Sequence, residues 1–341
     1  MSTTMTRDTA IEVFATCPPS SGMPRESYFE HVKEVARWSD DAGCKGILVY
    51  SDNSLVDPWQ LSHIIIQQTK RLCPLVAVQP IYMHPYWVAK QVATFAHLYE
   101  RQVYLNMVAG GFKNDLEALN DMTPHDQRYV RLIEYTAIIT QLVEAQAPIT
   151  FDGLYHRVDK LKLSPPVPEA LRPGVFVSGS SEAGVAAAKA LDATAIKYPK
   201  PAHEEGVLSD TGGRNGIRVG IIAREQEAAA WSVAHARFPE DRKGQLTRNL
   251  ATKVSDSVWH KQLAEMDDTS GQSPYWMVPF NNYKTMCPYL VGSYEQVAGE
   301  LARYFSAGYR TVILDIPPDA DELTHTFEAV DRACQPEPVA K

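Results

Sequence analysis

A single (β/α)₈ barrel, an α/β fold with insertions at the C-terminal face of its strands, is the fold class this sequence predicts. Short runs rich in β-branched and aliphatic residues alternate with longer stretches whose apolar residues recur at three- and four-residue spacing. Eight such runs, each followed by a helix or by room for one, suit a closed parallel barrel better than a doubly wound open sheet. No Gly-x-Gly-x-x-Gly follows any run, which argues against a Rossmann dinucleotide site.

The elements follow in order. Ile11–Ala15 is the first predicted strand, and Phe29, Val32, Val35 and Ala36 give the next helix its apolar stripe. Gly46–Tyr50 and Leu75–Gln79 are the second and third strands, with a helix on Val88, Val92, Phe95 and Leu98 behind them. Val103–Val108 is the fourth; an insertion, Gly110–Pro124, separates it from a helix opening at His125. Within a second insertion, Ala147–Pro166, the run Ile149–His156 reads as a hairpin turning at Asp152-Gly153. Gly174–Val177, Ala193–Tyr198, Ile217–Ala223 and Thr311–Ile316 complete the eight strands, with helices over Glu182–Leu191 and around Val297, Leu301 and Phe305. A plain barrel takes about 250 residues, so the chain has room for insertions. The longest, residues 239–288, carries Trp259, Tyr275, Trp276 and Phe280, and reads as a lid over the mouth of the barrel. The expected organisation is a tail over 1–10, one barrel over 11–333, and a C-terminal tail over 334–341.

Composition excludes several functions. The 33 basic and 41 acidic residues give a net charge of −8 with no block of like charge, so a nucleic-acid-binding face is not expected. Met1–Ala10 is polar, and no apolar run approaches the roughly 18 residues of a membrane span. Five scattered cysteines without a C-x-x-C pair fit reduced thiols and a cytoplasmic location. No metal-ligand spacing occurs, and the acidic run Pro318–Glu322 reads as the first turn of a helix, so no metal is expected.

The chemistry-bearing segments fall at the ends of strands, where barrel enzymes build their sites. Ser178-Gly179-Ser180-Ser181 joins a strand directly to a helix, an arrangement that offers free backbone N–H groups to an anion. Taken alone, the same residues also make an ordinary turn and N-cap. Asn106 offers a donor and an acceptor, Tyr129 a phenol, and Gln79 an amide at the end of the third strand. Asp52 and Asn53 follow the second strand and His84 the third.

In their order and spacing, several marks resemble the bacterial luciferase-like flavin monooxygenases, most closely the two-component, FMNH₂-dependent alkanesulfonate monooxygenases. The marks are Asn106-Met107-Val108-Ala109-Gly110, Arg128-Tyr129, Phe151-Asp152-Gly153, Ser178–Ser181, Gly216-Ile217-Arg218 and Leu290-Val291-Gly292. The resemblance runs from the first strand to about Ala333. It implies reduced FMN from a separate reductase, O₂, and oxygenation of a small organic substrate through a flavin peroxide. It also implies a homo-oligomer, dimer or tetramer. Carried over by position, Asn106 faces the ribityl chain, while Tyr129, Ser180 and Ser181, with Ser178 and Gly179, hold the phosphate. Gln79 joins them as a cofactor-binding candidate; Arg218, Lys284 and Asp52 are the catalytic candidates. The sulfonate enzymes' cysteine, histidine and tyrosine are replaced by Leu55, Gly220 and Pro317, so a different substrate is expected. An F420-dependent oxidoreductase, a non-catalytic flavin-binding subunit and a metal-dependent hydrolase are the alternatives.

Overall fold

The computed structural model describes residues 10–110, 112–206, 208, 214–242, 244–246 and 274–335. Its strands are β1 (Glu12–Thr16), β2 (Gly46–Val49), β3 (Cys73–Val78), β4 (Tyr104–Met107), β5 (Ile149–Asp152), β6 (Arg157–Leu161), β7 (Gly174–Ser178), β8 (Thr194–Lys197), β9 (Asn215–Arg218), β10 (Gly220–Arg224), β11 (Tyr275–Trp276), β12 (Tyr289–Ser293) and β13 (Thr311–Ile313). The helices among the described residues are α1 (Arg25–Ala42), α2 (Pro58–Gln68), α3 (Pro85–Tyr99), α4 (Lys113–Ala118), α5 (His125–Glu144), α6 (Glu182–Ala190), α7 (Glu227–Arg237), α8 (Val278–Asn281), α9 (Tyr294–Ser306) and α10 (Ala320–Cys334). Eight parallel strands close a barrel in the order β1-β13-β9-β8-β7-β4-β3-β2. This is the (β/α)₈ architecture expected from the sequence.

Local signals start the helices. Asp57 accepts from the Gln60 amide ahead of α2, with Pro58 at the first helical position. Ser293 and Gln296 form a reciprocal capping box at α9. The apolar stripes are correct in period and overextended at their ends: Phe29 and Leu98 are exposed. Lys33 lies over the Phe29 ring, which accounts for an aromatic on the solvent side of α1. The hairpin β5–β6 forms with Asp152 opposite Arg157. The Glu134 carboxylate on α5 accepts from the amides of Leu154, Tyr155 and His156 and so ties the hairpin's tip to the barrel.

Two expectations need correction. The seventh run, Ile217–Ala223, is not one strand: it breaks at Val219. Asn215–Arg218 stays in the barrel, whereas β10 turns away to pair in parallel with β12, which pairs antiparallel with β11. Gly220 permits the turn, because a Cβ there would run into the Tyr289 ring. The apolar run is continuous because both halves are buried, one in each sheet. The second correction concerns the 239–288 insertion. Tyr275, Trp276 and Phe280 are buried core residues, with Trp276 packed edge-on against Trp231 and Phe238, rather than aromatics facing the barrel mouth. Trp259 lies outside the described residues, as do residues 1–9 of the expected N-terminal tail and 336–341 of the C-terminal one.

Inside the barrel, Phe14, Tyr104 and Phe176 meet edge to face at centroid distances of 5.3, 5.2 and 5.7 Å. With Leu48, Leu75, Ile196 and Ile313 they make a packed floor.

Candidate active site

Above that floor opens a cavity of about 590 Å³ at the C-terminal ends of the barrel strands, within the usual range for small-molecule sites. Its lining follows from the pleat. Side chains alternate across a strand, so the residue two places beyond an inward core side chain also points inward. On β3 Leu75 leads to Ala77 and Gln79, on β4 Tyr104 leads to Asn106, and on β7 Phe176 leads to Ser178. In the same way Leu48 leads to Tyr50, Ile196 to Tyr198, and Ile313 to Asp315. Six of the eight strands therefore contribute an apolar residue to the floor and a polar one to the wall.

All the cofactor-binding and catalytic candidates border this one cavity: Gln79, Asn106, Tyr129 and Ser178–Ser181, and also Asp52, Arg218 and Lys284. Their surroundings differ. Asn106 is buried, and its Oδ1 accepts from Ser178 Oγ at 2.8 Å, linking β4 to β7. Gln79 Nε2 donates to the Ser51 carbonyl at 2.9 Å. Ser181 caps α6, its Oγ accepting from the Gly184 amide at 3.1 Å. Ser180 Oγ is buried and has no hydrogen-bond partner among the described residues. Tyr129 enters from α5, and its hydroxyl lies so close to Gly179 that a Cβ at that position would overlap it. Neither it nor Arg128 faces open solvent: both are buried.

On the opposite wall, Arg218 is 6% exposed and held by phenols. Its Nη1 donates to Tyr198 Oη at 3.3 Å and its Nη2 to Tyr50 Oη, with the guanidinium carbon 5.0 Å from the Tyr50 ring centre. Burial raises the Tyr198 phenol well above its ordinary range, and the nearby Cys287 and Asp315 add to the rise, so Tyr198 is a neutral partner. Asp315 accepts from Tyr289 Oη at 2.7 Å. Burial also pushes the Cys287 thiol up to about 12, leaving it protonated behind the wall.

The remaining candidates have local duties. Asp52 Oδ1 accepts from the amide and the hydroxyl of Ser54, each at 2.7 Å, which shapes the loop after β2. Lys284 stands at the rim in an ion pair with Asp241 at 2.6 Å. His84 does not border the cavity; its Nδ1 accepts from the Tyr86 amide and caps α3. Of the replaced positions, only Leu55 lines the cavity; Gly220 and Pro317 lie behind it. Asp319 and Glu322, in the acidic run, serve as the N-cap of α10 and as the partner of Arg224 and Arg237. No group of three or more His, Cys, Asp or Glu suited to a metal occurs among the described residues. None of the described helices is long and apolar enough to cross a membrane, and the cysteines are all free.

Tyr50, Tyr198 and Asp315 were missed as site residues. Their signal was present in the sequence: each stands two places beyond an inward apolar residue on its strand. It could be used only once the inward set was known.

A closed parallel barrel, with polar side chains converging on one cavity at its C-terminal face, defines the class: a barrel enzyme. Within that class the chain belongs to the luciferase-like monooxygenase family, whose pattern matches residues 9–311. It is 33% identical over 309 residues to the 4-(gamma-L-glutamylamino)butanoyl-[BtrI acyl-carrier protein] monooxygenase BtrO of Niallia circulans, covering 88% of this chain and 90% of that one. In fold it resembles the long-chain alkane monooxygenase LadA (TM-score 0.73, 16% identity, 99% of this chain and 94% of that one). It also resembles an F420-dependent secondary alcohol dehydrogenase in complex with an F420-acetone adduct (TM-score 0.66, 16% identity, 96% and 100%).

Proposed function

We propose that this chain is the oxygenating component of a two-component system, taking reduced FMN from a separate reductase and oxygenating a small organic substrate with O₂. The observation that carries the FMN reading is Ser180. A buried hydroxyl without a partner costs about 1–3 kcal/mol, and this one borders the cavity beside the N-terminus of α6. That position is where free amides and the helix dipole favour a phosphate. Ser178–Ser181 and Tyr129 line the same cavity, and Asn106 and Gln79 offer amides to the polar part of the same cofactor. When bound, reduced FMN supplies two electrons, so that one oxygen atom of O₂ enters the substrate and the other leaves as water.

The chain's own residues provide the setting. The aromatic floor and the apolar side chains Leu48, Leu55, Ile196 and Ile313 keep the cavity poor in water. Arg218 provides a fixed positive charge for an anionic group in the cavity. At the rim, Lys284 and Asp241 tie residues 283–286 to the segment following α7, which suits closure of the mouth. Asp52 would hold the facing loop. The similarity to BtrO, whose name specifies a carrier-bound acyl chain, supports an acyl substrate with polar groups along it. A homo-oligomer in the cytoplasm completes the reading.

Anaerobic titration with reduced FMN and, in parallel, reduced F420 tests it. Tighter binding of FMN is expected, followed on admission of O₂ by uptake that depends on a member of an acyl-thioester panel. Preferential binding of F420 would replace this reading by an F420-dependent oxidoreductase. Binding of FMN with no substrate-dependent O₂ uptake would leave a flavin-binding partner subunit.

A further inference from the structure

Arg218 is a buried cation whose hydrogen-bond partners among the described residues are the phenols of Tyr50 and Tyr198; no carboxylate pairs with it there, and its Nε has no hydrogen-bond partner. A buried charge so placed is costly until an anion joins it. Asp315 stands two residues past the end of the neighbouring strand, β13. Arg218 is in register with Ile313, so Asp315 lies one pleat further toward the cavity mouth. Strand spacing and rise put their Cα atoms about 8 Å apart. Both charges act on the buried Cys287 thiol, in opposite senses. Asp315 accepts from Tyr289 through one oxygen, while the other has no partner among the described residues. One wall of the cavity thus presents a cation and an anion, close together and not paired with each other.

We propose that Arg218 and Asp315 together read a zwitterionic α-amino acid end of the substrate. The guanidinium takes its carboxylate and the Asp315 carboxylate takes its ammonium. The two substrate charges sit on adjacent atoms of one small group, which matches two protein charges one strand and one pleat apart. Tyr50 and Tyr198 fix the guanidinium and Tyr289 fixes the carboxylate, so neither needs to be ordered when the substrate arrives. This assignment rests on the monooxygenase reading only in that the substrate occupies this cavity.

Four probes separate the charges. They are glutamate amidated with butylamine on its side-chain carboxyl (zwitterion), its N-acetyl form (anion), 4-aminobutanoyl butylamide (cation) and butanoyl butylamide (neutral). Calorimetric titration into the FMN-loaded protein should show the zwitterion binding about tenfold or more tighter than each of the others, as expected for charge-assisted hydrogen bonds. Arg218→Gln should erase the advantage of the carboxylate and keep that of the ammonium; Asp315→Asn should do the reverse. Arg218→Lys, which keeps the charge, should retain part of the carboxylate preference and guards against a folding defect in the glutamine variant. Binding of the four probes within twofold of one another, an anion probe that matches the zwitterion, or no binding of the zwitterion would overturn the proposal. FMN is titrated into the same preparation: if FMN fails to bind, the flavin reading falls, and the probe series on the FMN-free protein still decides the charge assignment.

Discussion

Replacing Ser180 with alanine should move stability and ligand binding in opposite directions. In the ligand-free protein the Ser180 hydroxyl is buried without a partner, so its removal breaks no hydrogen bond and relieves a desolvation cost of about 1–3 kcal/mol. The alanine variant should therefore be at least as stable as wild type. A phosphate held at this turn loses a charge-assisted hydrogen bond of about 1.5–3 kcal/mol, which is roughly 10- to 150-fold in affinity. Riboflavin, which lacks the phosphate, loses nothing. The assay is paired: urea unfolding without ligand, and fluorescence titration with FMN and riboflavin. Ser181→Ala is the contrasting control, because Ser181 caps α6 and its loss should cost about 1 kcal/mol of stability. A Ser180→Ala variant that is destabilised, or that weakens FMN and riboflavin equally, would refute the phosphate assignment.

Gly179→Ala places a methyl group against the Tyr129 hydroxyl and should cost about 1–3 kcal/mol in urea unfolding. Adding Tyr129→Phe should recover much of that loss, and purely additive effects would show that the contact is not the cause. Glu322 is the shared partner of Arg224 and Arg237, so Glu322→Gln should destabilise by about 3–5 kcal/mol, measured as a fall in the urea midpoint. For Asp121, burial by itself would raise the carboxyl, but hydrogen bonds from Arg131 and Thr123 outweigh it and hold it down at about 2. Its stabilisation is thus complete above the ordinary carboxylate range and is lost as pH falls through it toward 2. Asp121→Asn should flatten the fall in stability between about pH 4 and pH 2 relative to wild type, and an unchanged slope would count against the ion pair.

The barrel was legible because each strand is short, β-branched and followed by a stripe of helical period. Burial on both faces gives such strands continuous apolar runs, a signal that survives without any knowledge of neighbours. The same signal misled at Ile217–Ala223. A continuous apolar run says that both faces are buried but not by which sheet, and the Tyr289 ring over Gly220 decides where the chain leaves the barrel. The aromatics of the 239–288 insertion failed for a related reason: Tyr275 and Trp276 could cover a mouth or a second sheet equally well, and only their pairing with β12 distinguishes the two.

Sequence alone determined the period of each element, the small-residue turn at Ser178–Ser181, and the positions of Asn106, Tyr129 and Arg218 at strand ends or helix starts. These depend on local spacing and on residues adjacent in the chain. Tertiary structure decided which polar groups share a wall and which charges are satisfied. It brought Tyr129 from α5 against Gly179, and it committed Lys284 to Asp241. It also left Ser180 and the Nε of Arg218 without partners among the described residues. The physical reason is that desolvation and pairing are properties of a place in space. A hydroxyl in a turn costs nothing until the fold removes its water, and only then does its missing partner point to a ligand.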